Sequence, residues 1–151
     1  MNVLLDANIP GRIAEAGHPQ QQIAVDAVAA LIRRGDSPCL VPQVLYEFWV
    51  VATRPIASNG LGLSVAEADA EISRLETLYP LFQDSPAIYP EWRRLVALHQ
   101  VVGKNAHDAR LVAAMVVHGI THILRFNAGD FTRFPGIVVL EPALLLAPPS
   151  P

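Results

Sequence analysis

Apolar and polar positions along the chain follow two periods. Val3, Leu4 and Leu5 form an unbroken apolar run near the start, the pattern of a short strand buried on both faces, and the run ends on a carboxylate, Asp6. From His18 to Gly35 the apolar residues recur at helical spacing (Ile23, Ala27, Ala30, Leu31), which predicts a helix that Gly35 ends. Cys39, Leu40 and Val41 read as a second strand. The segment from Pro42 to Pro55 predicts a helix with Pro42 in its first turn and Pro55 as its stop. After the loop "ASNGLGL", Ser64 and Glu67 form a capping box that opens an amphipathic helix. Leu81, Phe82 and Gln83 suggest a third strand. A helix is expected to start at Pro90, and another to be capped by Asn105 and closed by Gly119. "THILRF" and "IVVL" predict two final strands.

Short strands separated by helices imply an α/β fold with a central parallel sheet covered on both faces. Ligands in such sheets bind beyond the carboxyl ends of the strands. Asp6 stands at the end of the first strand, and Asn127 and Asp130 follow "THILRF" closely. Residues 1–145 are expected to form a single domain, and the Pro-rich stretch 146–151 to be a frayed tail.

Composition narrows the function classes. Hydrophobic residues make up 52% of the 151 and charged residues 17%, enough apolar material for a real core. No apolar run is long enough to span a bilayer without a charge or Gly interrupting it. Met1 is followed at once by the first strand, with no basic segment before it, so no secretory signal is expected and cytoplasm is the default. The lone Cys39 can form neither an internal disulfide nor a Cys-based zinc site, and its apolar setting predicts an inert buried thiol. A net charge of −3 argues against general charge-driven binding to nucleic acid. It leaves room for a nucleic-acid enzyme whose acidic site is neutralised by bound cations.

Among the 14 Asp and Glu residues, four differ from the rest. Asp6 ends a core strand, although it could also cap a helix starting near Ile9. Glu47 is flanked by Tyr46, Phe48, Trp49 and Val50, where an unpaired carboxylate is costly. Asp108 lies in the first turn of a helix, where the dipole favours an acid. Asp130 lies in "FNAGDF", which also has turn composition. Two fall past strand ends and two at helix positions that can face the same edge. Carboxylates gathered at one point repel each other unless a cation joins them, and an all-oxygen set suits Mg²⁺ or Mn²⁺. Such a site can activate a water and hold a phosphodiester for in-line attack.

"LLDANI", "PQVLYEFWVVATRP", "GKNAHDARLVAAMVVHGITHILRFNAGDF" and "FPGIVVLEP" occur in the order found in PIN-domain ribonucleases. The sequence resembles most the VapC-type toxins of bacterial type II toxin–antitoxin pairs, over almost the whole chain. The resemblance implies a three-layer α/β/α fold and an endoribonuclease dependent on one or two Mg²⁺ or Mn²⁺ ions. It implies Asp6, Glu47, Asp108 and Asp130 as the catalytic, metal-binding acids, with Asn8 and Asn127 as polar helpers. Arg54, Lys104, Arg110 and Arg125 are candidate RNA contacts. The sequence departs from the family at Arg125, where Thr or Ser is usual. A guanidinium can neither act as a hydroxyl nor ligate a cation, so Arg125 is read as an RNA phosphate contact or as pointing away. The resemblance also implies an RNA substrate, a cognate antitoxin with a DNA-binding module, and a homodimer.

Two other readings compete. A PIN-like RNA-binding module with weak or no catalysis would keep the fold, and Arg125 is its best feature. A phosphotransfer α/β protein is disfavoured, because the first strand carries no D-x-D and "VVGKN" lacks the rest of a phosphate loop.

Overall fold

β1 (Asn2–Leu5) is the hub of the sheet. It pairs in parallel with β2 (Ser37–Cys39) on one side and with β3 (His122–Leu124) on the other, and β3 pairs in parallel with β4 (Val138–Leu140). The strand order is therefore β2-β1-β3-β4. The computed structural model describes residues 1–148, apart from the side chain of Asp130. The helices are α1 (Asn8–Ala14), α2 (Gln21–Arg33), α3 (Pro42–Thr53), α4 (Val65–Leu78), α5 (Ile88–Leu98), α6 (Asn105–Val117) and α7 (Pro142–Leu146).

Topology decides where a ligand can sit. The chain leaves β1 through α1 and α2 to reach β2 on one side. It then crosses back through α3 to α6 to reach β3 on the other. Right-handed crossovers in opposite directions place their helices on opposite faces of the sheet. The packing agrees, with α7 lying on α2 and α5 on α6. The order reverses between β1 and β3, which makes the crevice at their carboxyl ends the expected binding position. Val3, Leu4 and Leu5 are almost completely buried, as are Ile123 and Leu124. Each such side chain contributes about 1.5–3 kcal/mol on burial, so the residues that follow are held at fixed places along that edge.

The structure corrects several local expectations. β2 begins two residues earlier than the apolar run suggests, at Ser37. Leu81, Phe82 and Gln83 do not form a strand. Leu81 makes one parallel bridge to Leu40, held by Leu40 N–H to Pro80 O at 2.9 Å and Phe82 N–H to Leu40 O at 2.9 Å. Pro90 is the third residue of α5, not its first. Asn105 is the first residue of α6, with Lys104 at the cap position and no side-chain cap. The short α7 was not expected and takes in Leu146, counted above with the tail. Of the rest of the expected tail, Ala147 caps α7 and Pro148 follows it, while residues 149–151 lie outside the described residues.

Other local signals hold. Ser64 Oγ accepts from Glu67 N–H at 3.1 Å, and Glu67 Oε1 accepts from Ser64 N–H at 3.1 Å, the reciprocal capping box. Gly35 and Gly119 follow their helices at φ of 84° and 67°, a region that costs a residue with a Cβ. Cys39 is buried and free, and burial pushes its thiol up to about 12, so it stays protonated and inert. Among the described residues, no helix is long and apolar enough to cross a membrane.

Candidate active site at the carboxyl edge of the sheet

The parallel register between β1 and β3 builds the centre of the site. Leu5 pairs with Leu124, so the next residue of each strand, Asp6 and Arg125, leaves the sheet at the same level. Asp6 N–H still donates to Leu124 O at 3.1 Å, and Arg125 N–H donates to Leu140 O at 3.0 Å. The last rungs of the ladder thus fix both backbones. Arg125 Nε then stands 3.5 Å from Asp6 Oδ2. Its guanidinium carbon lies 4.2 Å from the centroid of the fully buried Phe131 ring. Arg125 does not point away: it enters the acidic site.

Asp6 is 7% exposed, one of two buried polar residues among those described. Its Oδ1 accepts from Ala7 N–H at 2.9 Å, and its backbone carbonyl accepts from Ile9 N–H at 2.9 Å. Ala7, not Asp6, is at the cap position of α1. Burial raises the Asp6 pKa. The Arg125 charge and the Ala7 N–H act against that rise, and Asp108 adds to it.

Glu47 reaches the same place from α3. Burial raises its pKa too, a hydrogen bond from Gln43 opposes the rise, and the negative charges of Asp6 and Asp108 add to it. Asp108, in the first turn of α6, completes the set. Asp6, Glu47 and Asp108 come from three elements far apart in sequence, and all line one cavity of about 420 Å³. Asn8 and Arg125 line it as well, and Arg12 and Arg54 add positive charge to its wall. Arg54 and Asn59 are placed by the loop after α3, which folds back on the helix end. Gly62 N–H donates to Arg54 O at 2.9 Å and Leu61 N–H to Val51 O at 3.0 Å.

Gln43 is the second buried polar residue, and nothing in the sequence analysis singled it out. Its Nε2 donates to Glu47 Oε1 at 2.9 Å and to His107 O at 2.8 Å. Its Oε1 accepts from Arg110 Nη1 at 3.0 Å, and Arg110 Nη2 donates to Asp84 Oδ2 at 3.0 Å. One amide therefore ties α3 to the first turn of α6 and orients Glu47 relative to Asp108. The available signal was local: Gln43 lies four residues before Glu47, on the same helix face.

The other candidates fall elsewhere. Arg110 is occupied by Gln43 and Asp84 and lines a separate cavity with Trp92. Lys104 is exposed at the start of α6 and Asn127 is exposed past β3, and neither lines the acidic cavity. Asn127 Oδ1 accepts from Gly129 N–H at 2.9 Å, which makes it a turn residue. Asp130 falls in a 3-10 turn, Gly129–Arg133, and its side chain lies outside the described residues.

Hard oxygen donors of like charge on one cavity fit a hard divalent cation. Among the described residues, no three His, Cys, Asp or Glu side chains are close enough to grip one ion together. An ion of the Mg²⁺ type takes one or two carboxylates directly and keeps several waters, so it does not require three protein ligands at once. Asp6, Glu47 and Asp108 are the cavity residues that could hold such an ion.

Neither a protein-family model nor a curated protein sequence matches this one. Solved structures do match the fold. VapBC2 from Rickettsia felis, bound to a DNA fragment from the promoter, aligns with a TM-score of 0.67 at 14% identity, over 93% of this chain and 98% of that one. Mycobacterium tuberculosis VapC20, a toxin that cleaves the sarcin-ricin loop, aligns at 0.64 and 19% identity, over 86% and 92%. A toxin–antitoxin complex from Klebsiella pneumoniae aligns at 0.61 and 19% identity, over 93% and 97%. The α/β fold with its parallel sheet between helices is thus the PIN-like fold expected from the sequence.

Proposed function

We propose that this chain is a VapC-type toxin, an endoribonuclease that depends on Mg²⁺ or Mn²⁺. One observation carries the reading. Asp6, Glu47 and Asp108 line a single cavity at the switch point of the sheet, in a fold shared with toxins of this kind.

A divalent cation bound there would activate water and neutralise charge on a phosphodiester in line for attack. Asp6, fixed by the β1–β3 ladder, would hold it, with Asp108 and Glu47 completing the set through water. Gln43 keeps one Glu47 oxygen engaged, which leaves the other for the cavity. Arg12 and Arg54 supply positive charge on the wall where RNA phosphates would pass. Hydrolysis by this route would leave 5′-phosphate and 3′-hydroxyl ends.

The reading includes a cognate antitoxin and a homodimer. The support for the antitoxin is that the fold matches structures of toxins held by such partners. A cavity lined by three acids is also suited to an inserted Arg or Lys of a partner.

The test is cleavage of a panel of structured RNAs by purified protein. Cleavage should need Mg²⁺ or Mn²⁺, stop with EDTA and vanish in Asp6→Asn. Equal cleavage by the Asp6→Asn protein would end the proposal. A second reading, an RNA-binding module without turnover, is favoured by the Arg125–Asp6 pair. RNA bound but never cut, with any divalent cation, would select it.

A further inference from the structure

We propose that Arg125 is the resident counter-cation of the acidic cavity, so that the cavity takes one divalent cation and not two. The inference rests on the metal-binding part of the proposed function and concerns how many ions that site can hold.

The geometry is specific. Arg125 follows directly on β3, in register with Asp6, and its side chain is 14% exposed. Phe131 supports the guanidinium from one face, and Asp6 faces its Nε. Nε and Nη1 are buried and make no hydrogen bond, so charge and ring contact hold the group in place. Two buried guanidinium nitrogens without hydrogen bonds are costly unless negative charge faces them. Asp6, Glu47 and Asp108 line the same cavity and provide that charge.

The consequence follows from electrostatics. Three described carboxylates carry three negative charges when ionised. One divalent ion with the fixed Arg125 guanidinium already balances them, before the Arg54 charge on the wall is counted; Arg12 is paired with Glu15. Two divalent ions beside the guanidinium would leave a net excess of at least two positive charges in the cavity, to which Arg54 on its wall adds. A fixed positive charge on a ligand carboxylate also weakens the first ion. Coulomb repulsion between a unit charge and a divalent ion, a few ångströms apart, amounts to an order of magnitude or more in affinity even at high effective dielectric.

The test is calorimetric titration of the full chain, freed of metal, with MnCl₂. Wild type, Arg125→Met and Arg125→Lys are compared, with folding checked by circular dichroism. Wild type should bind one Mn²⁺ per chain. Arg125→Met should bind Mn²⁺ at least about tenfold more tightly, and Arg125→Lys, which keeps the charge, should stay near wild type. Two ions per wild-type chain would overturn the inference even if Arg125→Met fails to fold. So would a folded Arg125→Met protein with unchanged affinity. Binding of a single Mn²⁺ with no RNA cleavage would defeat the nuclease and leave this inference standing. No Mn²⁺ binding by any variant would defeat both.

Discussion

Gln43→Leu removes a buried amide that makes three hydrogen bonds while roughly keeping side-chain volume. The bond to His107 O is neutral, and a net contribution of about 1 kcal/mol is ordinary for it. The bonds to Glu47 and Arg110 involve charged groups, typically about 1.5–3 kcal/mol each when desolvated. Both partners are only partly buried, so water recovers much of that. The sum is a loss of about 2–3 kcal/mol. At roughly 2–4 °C per kcal/mol for a chain of this size, Tm should fall by about 4–12 °C. Glu47 also loses the contact that orients it. RNA cleavage should drop by about 10–100-fold, with kcat falling more than KM rises, because a misplaced group weakens the transition state more than ground-state binding. Thermal melts and steady-state cleavage check both halves. A Tm within about 2 °C of wild type, together with full cleavage, would refute the account of Gln43 as the tie between α3 and α6.

Further outcomes are expected. Asp6 and Glu47 have pKa values raised in the folded state, so the native protein holds protons that the unfolded chain releases first. Between the unfolded and folded values, stability must fall as pH rises. Melts of the metal-free protein across that window should show the decline, and Glu47→Gln should flatten it; an unchanged profile would contradict the assignment. Gly60→Ala should destabilise the fold and disturb the cavity wall, since a Cβ there would run into the Arg54 backbone carbonyl. A loss of more than about 2 kcal/mol in urea unfolding is expected, and a neutral result would mean the loop can shift freely. Excess Mn²⁺ should stabilise the wild type with the logarithm of its ratio to Kd, by about 2.7 kcal/mol at a hundredfold excess, read as a raised Tm that EDTA reverses.

Much of this was legible because the signals are local. The buried run before Asp6, the prolines that bound α3, the Ser64–Glu67 box and the glycines after α2 and α6 each act within a few residues. They sufficed to place three acids on elements that meet at the switch point. The missing parts depend on contacts between distant segments. Arg125 meets Asp6 only because β1 and β3 pair in one register, which no local pattern encodes. Gln43 reaches His107 and Arg110 only after α3 and α6 pack. The apolar run at Leu81 and Phe82 reads as strand, but its pairing ends after one bridge to Leu40. Asn127 has the composition of both a site and a turn, and the structure uses it for the turn.

RNA cleavage at the cavity that ends β1 would leave a trace in cells. The most direct measurement is mapping of RNA 5′ ends in cells after induced expression of this chain, beside cells expressing Asp6→Asn at equal level. New 5′-phosphate ends are expected at discrete positions with the wild type and none with the variant. The same end profile from both proteins, or no new ends from the wild type, would contradict cleavage at this cavity.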